Sequence, residues 1–398
     1  MRTMQICSCI KAFWIEQYGG KYNMKKNKGT MKYLFSEDIQ YVSTRKRQFR
    51  HKTLAAVILV TVLLLTFIIG SFVMIDSIFS DMFGRVNKPE QSVYMTYDDF
   101  SRDYPRTEVK FLSEDNELTG YIYGPSKNAK GMVVISHGIG GGADSYIQEA
   151  IYFARKGYKV LSFSNTGCHE SEGKGTTGLS QSVIDLDAAL DYVEAQEEFE
   201  DLPVFLYGHS WGGYAVTAIL NYDHPVAGVV SVAGYNTPME MIMAWCKPQM
   251  GTVASYIEYP FIWIYQKLLF GGASNLSAAD GINNVETPVL IIHGTADEVI
   301  ACDGPSIMAH RDEITNPNVM YMTIEEEGKN HHSDLWMTQE AKEYVRDLAW
   351  ELEMLHVDKA SEDEIREWYK TVDREKASEL DDAFMHDVYT FFKDAVKK

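Results

Sequence analysis

The chain has 398 residues, 45% of them apolar and 12% aromatic, which supports a substantial core and excludes disordered, collagen-like and low-complexity classes. Its formal net charge of −19 is uneven: residues 1–52 hold 12 basic and 3 acidic residues (+9), and residues 53–398 hold 25 and 53 (−28). So acidic a main body argues against nucleic acid as a partner, because nothing would offset phosphate repulsion. Only Cys168, Cys246 and Cys302 lie in that body, too few for a disulfide framework.

In chain order, residues 1–53 form a basic tail, with no sustained period or motif over residues 1–44. Leu54–Ile75 follows, 22 residues without a charge. At about 1.5 Å per residue this reaches roughly 33 Å, matching a hydrocarbon core of about 30 Å. A core helix of that length would show a polar face, and a cleavable leader would end in small residues of A-x-A type. Gly70-Ser71-Phe72 offers no such site, so an uncleaved transmembrane anchor at 54–75 is expected. Arg45, Lys46, Arg47, Arg50 and Lys52 crowd its amino end. Basic flanks stay inside, which predicts a single-pass protein with a cytoplasmic amino terminus and an extracytoplasmic main domain. Residues 76–106 read as a polar stalk and lead-in.

From residue 107 apolar runs alternate with helical patterns: Val109–Leu112, Leu118–Tyr123, Met132–Ser136, Lys159–Phe163, Val204–Tyr207, Ala227–Val232, Val289–Ile292 and Val319–Ile324. Between them lie stretches such as Ser145–Arg155 and Ser180–Ala195, the second with apolar residues at spacings of three and four. The spacing predicts an α/β domain over 107–398: an eight-stranded, mostly parallel sheet with helices on both faces and an antiparallel start. Residues 238–285 interrupt the alternation as a helical cap insertion. Residues 357–398 follow as a helical C-terminal extension whose stripe Leu380, Phe384, Val388 and Phe391/Phe392 packs on the sheet or the cap.

The residues suited to chemistry follow the strands. After the third run comes His137-Gly138-Ile139-Gly140-Gly141-Gly142, whose backbone N–H groups suit an oxyanion. It also matches G-x-G-x-x-A from Gly138 to Ala143, but a dinucleotide fingerprint belongs after the first strand of a parallel unit. After the fifth run, Gly208-His209-Ser210-Trp211-Gly212 reads G-x-S-x-G between a strand and a helix. There a serine on a strained turn needs small neighbours two residues away on either side. A serine hydroxyl needs a base and an orienting acid, in chain order Ser, acid, His. Asp297 just past the seventh strand and His331 after the eighth meet that order. His332 competes for the base role, and spacing from Gly328 favours His331. Ile139 and Trp211 are the expected oxyanion N–H donors.

The set Gly208–Gly212, His137–Gly142, Asp297 and His331 resembles the α/β-hydrolase superfamily, in the branch that holds monoglyceride lipases, lysophospholipases and serine aminopeptidases. The resemblance covers about residues 107–350. It departs after the fourth strand, where relatives often carry Asp-x-Arg-Gly-x-Gly and this chain has Asn165-Thr166-Gly167-Cys168-His169-Glu170-Ser171. The resemblance implies a serine hydrolase with a Ser210-His331-Asp297 triad and an acyl-enzyme, needing no cofactor and no metal. In such enzymes the cap forms the acyl pocket. Here residues 239–270 hold 21 apolar residues of 32, seven of them aromatic, and only Glu240 and Glu258 as carboxylates. Those aromatics either pack the cap or line a pocket for an acyl chain or aromatic group. So few carboxylates favour small-molecule acyl esters over the ammonium ends that an aminopeptidase holds. The alternatives are a serine aminopeptidase-like peptidase and a non-catalytic binding protein on the same scaffold.

Overall fold

The computed structural model describes residues 35–333, 335–355 and 360–397; residues 1–34 of the expected basic tail lie outside the described residues. The eight apolar runs become β1 (Thr107–Ser113), β2 (Asn116–Tyr123), β3 (Met132–Ser136), β4 (Lys159–Phe163), β5 (Val204–His209), β6 (Val226–Val232), β7 (Val289–Gly294) and β8 (Val319–Ile324). They form one sheet in the order β1-β2-β4-β3-β5-β6-β7-β8. β1 pairs antiparallel with β2, and β2 antiparallel with β4. The other neighbours are parallel, in register Val133↔Phe205 and Tyr207↔Val230 across the centre. β3 to β7 are buried nearly throughout, as parallel strands covered on both faces must be.

Helix α1 (Phe35–Met82) precedes the sheet, and α2 (Ile147–Arg155), α3 (Gln181–Glu194) and α4 (Trp211–Ala218) connect its strands. The cap is α5 (Pro238–Met250), α6 (Thr252–Phe270) and α7 (Ala278–Asn283); after β8 come α8 (Gln339–Met354), α9 (Glu362–Thr371) and α10 (Asp382–Ala395). Local chemistry sets these ends. Thr237 Oγ1 accepts from the Glu240 N–H and Pro238 opens α5, while Gly251 at φ 82° breaks α5 from α6. One face of the sheet packs on α3, α4 and α7, the other on α2 and α10. The apolar stripe of the extension covers the sheet, not the cap: Phe392 stacks on Phe205 with ring centroids 4.8 Å apart.

The chain divides into two units, one ending at Phe67 and one beginning at Ile68. In the first, every side chain from 47 to 67 is exposed, apolar ones included. Among the described residues, one helix is long and apolar enough to cross a membrane.

The second unit departs from the expected stalk over 76–106. Phe79 and Phe83, one helical turn apart, continue a buried stripe from Ser71 and Ile75 into the core. Val86 then exchanges backbone hydrogen bonds with the loop after β4: its N–H donates to Gly167 at 2.9 Å and its carbonyl accepts from His169 at 2.8 Å. The Arg85 guanidinium donates to the carbonyls of His169, Ser171 and Gly173. What reads as a polar linker is therefore built into the hydrolase-like unit, because its apolar residues fall at helical spacing.

Candidate active site

The turn from β5 into α4 carries Ser210 in a left-handed conformation, φ 56° and ψ −113°. Non-glycine residues adopt this rarely, and the surroundings must enforce it. The neighbours explain the glycines: a Cβ on Gly208 would lie 2.2 Å from the Gly212 carbonyl oxygen, and one on Gly212 only 1.9 Å from that of Ser136. The Ser210 N–H donates to Val232 of β6 at 2.8 Å, fixing the turn over the carboxyl edge of the sheet.

Facing Ser210 is His332. Its Nε2 lies 2.9 Å from Ser210 Oγ, and its Nδ1 lies 2.8 Å from Asp297 Oδ2. A carboxylate only accepts, so Nδ1 carries the proton and Nε2 is free to accept the serine's. Asp297 Oδ1 also accepts from the N–H groups of Val299 and Ile300, and His293 Nε2 stands 3.1 Å from its Oδ2. Burial alone would raise the Asp297 carboxyl; the hydrogen bonds from His293 and His332, with the Ile300 N–H, outweigh it and hold the carboxyl well below the usual range.

The expected base, His331, is not at the site. Its side chain is 51% exposed and pairs with Glu298 at 3.3 Å. The register of the loop decides this. The Asn330 carbonyl accepts from the Ala296 N–H at 3.0 Å, and its side chain donates to Thr295 at 2.9 Å. With Asn330 docked and buried, the bend that follows leaves His331 exposed and turns His332 inward. Spacing from Gly328 could not resolve two adjacent histidines; the burial alternation of 330–332 does.

The glycine-rich loop after β3 is shaped by His137. The His137 Nε2 accepts from the Asn165 N–H at 3.0 Å, so its Nδ1–H donates to the Gly138 carbonyl at 2.7 Å. Gly141 N–H donates to the same oxygen at 3.1 Å. In a planar trans peptide the Ile139 N–H points opposite to that carbonyl, away from both donors. Trp211 opens α4, so its N–H has no acceptor in a preceding turn. Ile139 and Trp211 both line the same cavity as Ser210 and His332.

The G-x-S-x-G pattern by itself assigns no role to His209, its second residue. It is buried, its Nδ1 accepts from Tyr146 OH at 2.7 Å, and its Nε2–H donates to the His332 carbonyl at 2.9 Å. Tyr146 OH in turn accepts from the Gly138 N–H at 3.3 Å. Burial lowers His209 to about 3 and His137 to about 4, so both rings are neutral near pH 7.

The cavity measures about 810 Å³. Leu179, Tyr235, Met241, Trp245 and Ile300 make an apolar side, and Glu149 is the one carboxylate among its described lining residues. Glu149 is 1% exposed, and burial pushes it up to about 8, so it is neutral near pH 7. Of the cap aromatics only Trp245 reaches this cavity. Phe261 and Tyr265 pack against Phe72 and Phe79, while Tyr256, Tyr259 and Trp263 are exposed.

Comparison with known proteins agrees with this architecture. The family model described as serine aminopeptidase, S33 matches residues 127–259. The chain is similar to the quorum-quenching protein AidA of Acinetobacter baumannii, 28% identical over 141 residues that cover 34% of this chain and 46% of that protein. It is also similar to the monoglyceride lipase of Rattus norvegicus, 29% identical over 101 residues, 25% of this chain and 33% of the lipase. The chain thus spans less than half the length of these curated relatives. An alpha-beta hydrolase structure from Vibrio vulnificus superposes with a TM-score of 0.50 at 16% identity, over 68% of this chain and 91% of that one.

Proposed function

We propose that this chain is an α/β hydrolase of the esterase, lipase and serine aminopeptidase type, a membrane-anchored serine hydrolase acting on carboxylic esters through Ser210, His332 and Asp297. The observation that carries the reading is the linear relay from Ser210 Oγ through the His332 ring to Asp297, with distances of 2.9 and 2.8 Å. His332 Nε2 takes the serine proton as Oγ attacks the ester carbonyl, and Asp297 stabilises the imidazolium that forms. The N–H groups of Ile139 and Trp211 receive the developing oxyanion, each such donor being worth about 3–4 kcal/mol. His332 then returns the proton to the departing alcohol, and water, activated by the same ring, cleaves the acyl-enzyme.

Two features favour esters over peptides. The apolar side of the cavity suits an acyl chain. Its one lining carboxylate is neutral near pH 7 and would hold a substrate ammonium poorly. The uncharged helical stretch 54–75 supports an anchor, with the basic cluster Arg45–Lys52 on the cytoplasmic side and the catalytic unit outside. A panel of p-nitrophenyl esters of increasing acyl length, run beside aminoacyl p-nitroanilides on the full chain in detergent, tests the substrate class. Esters are expected to give the higher kcat/KM. Turnover of the anilides alone would overturn the assignment.

A further inference from the structure

Helix α6 is amphipathic the wrong way round for a helix in water. Its buried positions are Ser255, Glu258, Ile262, Gln266 and Phe270, three of the five polar. Its outer face is apolar: Val253, Tyr256, Ile257, Tyr259, Trp263, Ile264, Leu268 and Leu269 are all exposed, Val253 and Leu268 by 75% and 76%. Between Thr252 and Gln266 the single charged residue is Glu258, and it points inward. A soluble cap would place these residues the other way.

The inward polar face meets the end of α1. Ser71 Oγ donates to Glu258 at 3.1 Å and Tyr265 OH donates to Asp76 at 2.9 Å. Phe72 sits edge-on to Phe261 with centroids 5.9 Å apart, and Phe79 meets Tyr265 at 5.3 Å. The outward residues of this part of α1, Ile69, Val73, Met74, Ile78 and Met82, are exposed and apolar as well. A helix needs about 20 residues to cross a hydrocarbon core of about 30 Å, and the uncharged stretch Leu54–Ile75 supplies 22. Leu54–Gly70 alone reaches only about 26 Å. A crossing that starts at Leu54 therefore ends within residues 71–75, the part of α1 that α6 contacts through Glu258 and Phe261.

We infer that α6 is a second membrane element: its outer face, with the outward residues of 69–82, seats in the acyl and headgroup boundary of the lipid bilayer. This rests on the reading of α1 as a membrane anchor. Exposed Trp263, Tyr256 and Tyr259 supply the amphipathic rings that favour that boundary. Met82, at the end of α1, also lines the cavity over Ser210, as do Trp245 and Gln249 of the cap. A substrate dissolved in the bilayer thus reaches the nucleophile past the seated helices without crossing bulk water.

The full chain, reconstituted in phosphatidylcholine vesicles, carries an environment-sensitive fluorescent amino acid in place of one residue at a time: Ile58, Val253, Leu268 or Val396. Val396 lies beyond α10, on the opposite face of the sheet. Blue-shifted emission and quenching by doxyl-labelled lipid at Ile58, Val253 and Leu268, but not at Val396, is the expected result. Quenching at Ile58 with Val253 and Leu268 in water overturns the seating of α6 and leaves the anchor standing. Loss of quenching at Ile58 overturns the anchor itself. Shielding of Val253 from water without lipid quenching assigns the face to a protein partner or a second copy, and also overturns the inference. As a functional readout, Leu268→Glu is expected to lower turnover of a vesicle-embedded long-chain ester about tenfold while sparing a water-soluble short-chain ester. Equal loss on both overturns the seating.

Discussion

The Nε2–H of His209 donates to the main-chain carbonyl of His332 at 2.9 Å, so the residue before the candidate nucleophile holds the backbone of the residue facing it. Through Tyr146 the same ring is tied to the Gly138 N–H of the glycine-rich loop after β3. His209 touches none of the reacting atoms and acts as a positioning residue. His209→Ala is expected to lower kcat by roughly tenfold to a hundredfold with KM little changed, since a small misplacement of the base costs that much. It also leaves the buried Tyr146 O–H proton without its His209 acceptor, costing about 1–3 kcal/mol of stability. His209→Gln, which keeps a donor, should recover part of kcat. A purely structural role would lower the melting midpoint without the partial kcat rescue.

The two adjacent histidines separate sharply. His332→Ala is expected to lower kcat by roughly 10⁴-fold or more, as removal of a member of such a relay does. His331→Ala, at an exposed ring paired with Glu298, should leave kcat within about twofold and stability within about 0.5 kcal/mol. Steady-state kinetics on a short-chain ester checks both.

Gly212→Ala tests the elbow. The new Cβ would sit 1.9 Å from the Ser136 carbonyl oxygen, main chain that cannot swing aside. The expected cost is about 3 kcal/mol of stability with loss of activity, because relief requires moving the Ser210 turn itself. Thermal unfolding in detergent is the measurement.

Acid should destabilise the protein before its carboxylates titrate. His137 and His209 are held neutral by burial, at about 4 and about 3. The unfolded chain protonates both near pH 6.5, so below that it binds more protons than the folded one and stability falls with pH. The slope approaches about 1.4 kcal/mol per pH unit for each ring until the folded values are reached. Asp297 extends the loss: its folded carboxyl is depressed, so its contribution is present above the ordinary carboxylate range and disappears as pH falls below it. Melting midpoints between pH 7 and pH 4 should drop steeply, and His137→Asn should flatten the drop.

Glu149 works in the other direction. Burial raises it to about 8, so from the ordinary carboxylate range up to about 8 the folded state holds a proton the unfolded state has lost. Stability contributed by the neutral acid therefore declines as pH rises through that window. Glu149→Gln, neutral at every pH, should raise the melting midpoint more at pH 8 than at pH 5. Equal shifts at both would contradict the burial account.

Much of the fold was legible because each signal was local. All eight apolar runs became strands within two residues of their expected ends, since a buried parallel strand must be apolar along its length. Ser210 and Asp297 stood out by motif and strand-end position. What stayed hidden depends on non-local contacts. The choice between His331 and His332 turns on how Asn330 docks against Ala296. The role of His209 needs Tyr146 and His332 brought together from distant segments. The apolar residues of 239–270 were countable, but which of them face the cavity depends on the end of α1 occupying the inner face of α6.

The most direct test of the Ser210-His332-Asp297 account is covalent. The full chain is incubated with a fluorophosphonate probe, digested and mapped by mass spectrometry, beside Ser210→Ala. One adduct on the peptide that contains Ser210, absent from Ser210→Ala, is the predicted result. Labelling that persists in the folded variant, or that falls on another residue, would contradict the account.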